Sequence, residues 1–182
     1  ERETALRETW ARSFGLVVAE QSSAHAPPHF TGLDRESLIA DSLKLALPAH
    51  GAGDPGFDRV VSLADAADLP WVMEPRGAAS RHWAEQACRS AGFEPDVRYE
   101  TADLQAHVRL IETANAVALL PGLVHARAPR GMRVIDLEGN PRRTVFTAAR
   151  HSSAEHAGVN AVRRALRAEA QALASEDSAF AS

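Results

Sequence analysis

Residues 71–122 read WVMEPRGAASRHWAEQACRSAGFEPDVRYETADLQAHVRLIETANAVALLPG, and this stretch sets the fold class. Trp71-Val72-Met73-Glu74 is a strand of buried type, and Pro75-Arg76-Gly77-Ala78-Ala79 is a tight connection. Good helix formers from Ser80 to Ala91 predict a helix that Gly92 ends. Val97-Arg98-Tyr99-Glu100 is the next strand. A helix from Asp103 to Ala114 follows, with Leu104, Val108 and Ile111 on one face, and Val117 to Leu120 is a strand ended by Pro121-Gly122. Strand alternating with helix predicts an α/β domain with largely parallel pairing.

Upstream, Glu1 to Arg12 reads as a helix with Leu6 and Trp10 on one face, and Phe14 to Ala19 as a buried strand. Residues 21–33, with a Pro-Pro pair, form a loop. Leu43 to Leu47 is a strand stopped by Pro48, residues 49–58 are a turn-rich loop, and Ser62 is placed as N-cap of a short helical turn. Downstream, Arg133 to Leu137 and Thr144 to Ala148 are strands. Ser153 to Leu173 is a long helix with Val159, Val162, Leu166 and Leu173 as its stripe; Arg163, Arg164 and Arg167 lie on a solvated face. Ala174 to Ser182 reads as a frayed tail.

Composition narrows the function. The 182 residues are 45% apolar, enough for a packed core and too rich in leucine and valine for a disordered chain. A net charge of −4 argues against an autonomous nucleic-acid binder. Lys44 is the sole lysine, which reads as codon bias. The single cysteine, Cys88, excludes an intrachain disulfide and suits a reducing, cytoplasmic setting. No run approaches the ~18 apolar residues of a membrane span.

The order of motifs resembles a family. Ser62-Leu63-Ala64-Asp65-Ala66-Ala67-Asp68-Leu69-Pro70-Trp71-Val72 is similar to the "S-L-A-D-L-A-D-x-P-W-I" signature of LysR-type transcriptional regulators, in their effector-binding region. Ala91-Gly92-Phe93-Glu94-Pro95 and Val117-Ala118-Leu119-Leu120-Pro121 continue the spacing. Upstream, Phe30-Thr31-Gly32-Leu33-Asp34-Arg35 and Leu43-Lys44-Leu45-Ala46-Leu47-Pro48 match the family's loop and crossing strand. The likeness covers residues 1 to about 173. There are departures. Gly15 stands where the family carries aspartate, and His50-Gly51-Ala52-Gly53 replaces "H-P-L-A". Ala114 and Ala116 replace glycines, leaving Asn115 to supply a left-handed turn. The winged helix, the linker helix and the effector region's first strand, first helix and second strand have no counterpart, so the chain is expected to be N-terminally truncated.

The resemblance implies a type 2 periplasmic-binding-protein-like α/β fold, with two lobes joined by two crossing strands and lobe I incomplete. Lobe I is expected at residues 1–41 and 150–182, and lobe II at 42–149. It implies a small effector between the lobes, a homo-oligomer in the full protein, and DNA contact only through an N-terminal winged helix. No cofactor and no membrane contact are expected.

The candidate ligand residues are Arg76, Gly77, Ala78, Ala79 and Ser80. Small residues admit a ligand, a helix start favours negative charge, and Arg76 adds a cation. The competing reading is an ordinary strand-to-helix turn with Ser80 as its N-cap. Thr101 faces the same cleft in the family pattern, or is a turn threonine; Pro121 and Gly122 line it, or simply end a strand. Glu20, Gln21 and Ser22 form the lobe I rim, or a solvated loop. Cys88 reads as buried and inert, in contrast to the paired cysteines of the family's peroxide sensors. Among the eight histidines, Pro27-Pro28 prevents His25 and His29 from sharing a helix face, and His151 and His156 do not make a metal site. Trp10, Trp71 and Trp83 have core-facing spacings.

These features together read as the effector-sensing domain of a LysR-type regulator, not an enzyme. The alternatives are a free-standing solute-binding protein of the same fold, or an enzyme built on it, such as a dehydratase. The chain alone is expected not to bind duplex DNA; a salt-sensitive mobility shift at micromolar concentration would contradict this.

Overall fold

A computed structural model describes residues 14–22, 32–125 and 131–180. The helix expected over Glu1–Arg12, with Trp10, and the loop through residues 23–31, with His25 and His29, lie outside the described residues. Packing divides the chain into two units, residues up to Ser42 together with Arg142 onward, and Leu43–Pro141.

In the first unit, β1 (Leu16–Ser22) and the first half of β2 (Leu33–Pro48) flank β7 (Arg142–Arg150), all antiparallel. Ala19, Leu33, Phe146 and Ala148 form its core, with Val17 packed against them. Thr144–Ala148 therefore belongs here and not in lobe II: β7 hydrogen-bonds to β1, which moves the expected boundary from 149/150 to 141/142. The strand expected over Leu43–Leu47 is only the end of β2, whose polar first half hides in the sequence because few of its residues are fully buried.

The expected C-terminal helix is two, α5 (His151–Ala154) and α6 (Ala157–Phe180), separated at Glu155–His156. The apolar stripe also needs correction. Val162 is 47% exposed, and Arg163 is buried in its place. Arg163 donates from Nε to Thr147 Oγ1 at 3.1 Å and from Nη1 to Asp34 Oδ2 at 2.6 Å, and from Nη2 to the Asp34 carbonyl. Arg167 meets Glu36 at 2.8 Å. A planar fork with several donors is what permits a guanidinium to be buried here without leaving its charge uncompensated.

In the second unit, β3 (Pro70–Met73) and β4 (Asp96–Glu100) pair in parallel, and Trp71 bridges Val117 in parallel at the start of β5 (Ala118–Pro121). The second half of β2 pairs antiparallel with β5 on one edge and β6 (Met132–Asp136) on the other. The expectation of largely parallel pairing thus holds only for strands joined by helical crossovers; the remaining pairs are antiparallel. The crossovers are α2 (Ala79–Ser90) and α3 (Leu104–Glu112). The loop expected over residues 49–58 contains a short helix, α1 (Pro55–Asp58), and α4 (Gly122–His125) follows β5.

Alternation along the strands builds two cores. Leu45, Leu47, Trp71 and Met73 pack with Ala84 and Cys88 of α2, while Ala46, Val72, Ala118 and Leu120 pack with Val108 and Ile111 of α3. Period-two alternation thus covers both faces of the sheet. Trp71 is wholly buried and donates from Nε1 to the Ala66 carbonyl at 3.1 Å. Trp83 packs at the edge of the same core.

Local details correct two expectations. Ser62 is not the N-cap of the 3-10 turn Ala64–Ala66; that position is Leu63. Instead the Asp65 carboxylate accepts from the N–H groups of Val61 and Ser62 and from the Ser62 hydroxyl. The Ser62 hydroxyl, then the two N–H groups, hold its carboxyl below the usual range. Ala114, not Asn115, takes the left-handed turn, at φ 55°. It occupies C′ of a Schellman motif, in which Ala114 N–H bonds to the Ile111 carbonyl and Asn115 N–H to that of Leu110. Gly92, at φ 94°, ends α2 in the same way, as expected.

Arg163→Met is expected to destabilise the protein by about 3 kcal/mol, because it strands Asp34 and the Thr147 hydroxyl. The exposed Arg164→Ala should change stability by less than about 0.5 kcal/mol. Urea unfolding of both variants compares them directly.

Candidate functional site

In the second unit, strands β3 and β4 run the same way and end together. The Thr101 N–H donates to the Met73 carbonyl at 3.1 Å, joining the first residue after β4 to the last of β3. Parallel pairing of Trp71 with Val117 sends β5 toward the same end of the sheet. Such an edge, where strands hand over to helices, is where α/β sheets accommodate ligands.

The β3–α2 connection is Glu74–Ala78. Ala78 N–H closes a turn onto the Pro75 carbonyl at 3.1 Å. Gly77 sits at φ 94°, and a Cβ there would meet nothing within 4 Å. Its glycine is required by backbone conformation, not by space. The N-cap of α2 is Ala78, which has no side chain to cap with, so the reading of Ser80 as N-cap does not hold; Ser80 is the second residue of the helix. Among the described residues the N–H groups of Ala79, Ser80 and Arg81 therefore have no intrahelical or side-chain acceptor, and the first turn carries no acid. Arg76 is exposed, with no hydrogen bond or ion pair among the described residues.

Arg81, which sequence reasoning missed, is 4% exposed. It donates from Nε to Glu85 Oε1 at 2.5 Å and from Nη1 to the Glu74 carbonyl at 3.0 Å, with Glu100 Oε2 at 3.5 Å. The bond from Arg81, chiefly, holds the Glu85 carboxyl below its usual range. The sequence signals only an i, i+4 pair between Arg81 and Glu85, which is normally a surface feature.

Thr101 makes the local turn that was the competing reading. Its hydroxyl oxygen accepts from the Asp103 N–H at 3.2 Å, which leaves its proton as a donor. Its carbonyl accepts from His107 Nε2 at 2.8 Å. His107 is 2% exposed, and its Nδ1 has no partner among the described residues. Pro121 pairs with Leu43 and Gly122 opens α4; both are buried, in keeping with strand termination.

Glu20, Gln21 and Ser22 lie in the other unit. They are not a solvated loop: they extend β1 opposite Val145, Thr144 and Arg143. The Glu20 carboxylate pairs with Arg143, which also meets the buried Asp41 at 2.9 Å. Among the described residues, no group of three or more His, Cys, Asp or Glu side chains is arranged to hold a metal, and no helix is long and apolar enough to cross a membrane. The edge formed by residues 74–80 and Thr101 presents N–H groups, hydroxyls and a cation. That is the chemistry of an anion receptor.

Residues 23–171 match the family model described as the LysR substrate binding domain. The malonate utilization transcriptional regulator of Klebsiella pneumoniae is 33% identical over 92 residues, covering 50% of this chain and 29% of that regulator. The chain thus spans less than a third of that relative's length. The Synechocystis PCC6803 CcmR regulatory domain, solved in complex with 2-PG, shares the fold at a TM-score of 0.70 and 14% identity, covering 93% of this chain and 80% of that one. The C-terminal domain of a probable LysR family regulator from Rhodococcus sp. RHA1 matches at a TM-score of 0.63 and 21% identity, covering 94% and 81%.

Cys88 is fully buried in the α2 core. Desolvation, followed by the negative charges of Glu94 and Glu85, pushes its thiol from 9.0 up to about 12. A neutral thiol in the folded state means that this group's contribution to stability is complete below pH 9 and falls as pH rises toward 12. Native protein should resist iodoacetamide at pH 8 and react once unfolded, and Cys88→Ala should cost about 1–2 kcal/mol. Rapid alkylation of the folded protein would contradict the inert assignment.

Proposed function

This chain belongs to the family of LysR substrate-binding domains, and on that premise we propose that it senses a small anionic metabolite, a carboxylate, held at the Gly77–Ser80 helix start. The observation that carries this reading is the uncapped first turn of α2, with its unaccepted N–H groups, no acid among them, and the uncommitted Arg76 beside it. A negative charge there gains about 0.3–1 kcal/mol from the helix dipole before any specific bond is counted. Ser80 and the Thr101 hydroxyl add donors that recognise carboxylate oxygens. The relative from Klebsiella is named for malonate utilization, and malonate is a dicarboxylate.

The activity is effector sensing, not catalysis. At this edge the Glu85 carboxylate is engaged by Arg81. A ligand that binds one conformation better than another shifts the population toward it, by no more than its differential affinity. In a complete, oligomeric regulator this shift would pass to DNA-binding heads on winged helices.

A calorimetric screen of organic acids tests the reading. Malonate or a related carboxylate is expected to bind, and Ala79→Glu, which places bulk and like charge at the helix start, should abolish binding. Arg76→Gln should weaken it roughly two- to fivefold, the effect of one exposed ion pair. Equal binding to wild type and Ala79→Glu, or binding of cations and neutral apolar compounds alone, would refute the assignment.

A further inference from the structure

We infer that Arg81 and His107 are a matched pair of positioning residues, buried bases that lock the two strand ends from which the effector edge is built. The inference rests on the effector site proposed above. Each base lies in the first turn or so of the helix that follows a parallel strand, and each reaches back to a carbonyl just past that strand's end. Arg81 of α2 binds the Glu74 carbonyl at 3.0 Å, one residue beyond β3; His107 of α3 binds the Thr101 carbonyl at 2.8 Å, one residue beyond β4. Both side chains are nearly inaccessible, at 4% and 2% exposure.

Their chemistry fits the task. Glu74 and Thr101 have left the strand ladder, so their carbonyls need other donors. Arg81 supplies one from Nη1, which also lies 3.5 Å from Glu100 at the end of β4, while its Nε holds Glu85 in its own helix, so a single guanidinium ties three segments. A lysine has no such fork. For His107, the acceptor is a carbonyl, so Nε2 carries a proton and donates it, while Nδ1 meets no partner among the described residues. With both carbonyls fixed, the peptide planes that follow them are fixed as well. Those planes aim the Pro75–Ser80 backbone and the Thr101 hydroxyl. Each acts through the loop it holds.

The test reads the loops without ligand, so its result is independent of whether any carboxylate binds. In 15N relaxation measurements, Arg81→Gln is expected to lower order parameters across Gly77–Ser80 from about 0.85 toward 0.6, and His107→Phe to do the same at Thr101–Asp103. Amides of β5 and β6 should stay rigid in both. Glu85→Gln, which removes only the partner within α2, should leave the Gly77–Ser80 loop ordered, and Arg81→Lys should loosen it in part. In wild type, long-range 15N–1H correlation should show His107 as the Nε2–H tautomer. Loops that remain ordered in the folded variants, loosening spread evenly through β5 and β6, or an Nδ1–H tautomer would overturn the inference. If Arg81→Gln does not fold, Arg81→Lys and His107→Phe still decide it.

Discussion

Strand β2 must satisfy its backbone twice over. Its first half bonds to β7, and its second half bonds to β5 on one edge and β6 on the other. One continuous run of sixteen residues therefore belongs to both units. The composition of β2 records the change of duty. Leu33–Ser42 carries Asp34, Glu36 and Asp41, which bind arginines, whereas Leu45, Ala46 and Leu47 are fully buried between α2 and α3. The chain stays paired across the change, since Arg142 donates to the Ala40 carbonyl and Leu43 N–H to that of Pro141. Everything else in each unit hangs on these two ladders.

The helices begin in different ways. Asp54 caps α1 through the Gly56 N–H, and Asp103 caps α3 through the Gln105 N–H. Each such cap contributes about 1 kcal/mol over alanine. At α2 the chain forgoes this with Ala78, then places an exposed arginine and a left-handed glycine before it. α5 likewise begins without a side-chain cap, at Arg150, so what sets α2 apart is the exposed arginine and left-handed glycine that precede its bare start.

What could be read from sequence followed from periodicity and turn chemistry. The strands and helices between Trp71 and Leu120 and the stop at Gly92 are encoded within a few residues of themselves, whereas Asp103, read as the first helical residue, is the cap. The first half of β2 was not legible, because a strand whose residues are mostly half-buried lacks an apolar pattern. The left-handed Ala114 was missed for a related reason: Asn is the better left-handed residue, but the Schellman geometry fixes the position by helix end, not by preference. For the candidate edge, the small residues and helix start were visible in the sequence. The buried Arg81 and His107 were not, since their acceptors are backbone carbonyls, and no side-chain pattern announces a carbonyl.

The same reasoning bears on the arginine-rich composition, which in the sequence looks like codon bias. Arg81, Arg133, Arg143 and Arg163 each join separate segments, and three of them bind backbone carbonyls as well as, or instead of, carboxylates. Arg133 donates to the Phe57 and Val60 carbonyls, closing the end of α1. Arg143 ties β7 to Asp41 of β2 and to Glu20 of β1. A lysine at any of these places would supply one point of contact where several are used. At the candidate edge Arg76 is exposed, with no hydrogen bond or ion pair among the described residues. The division is a physical one: the buried arginines spend donors on the fold, and Arg76 stays in solvent.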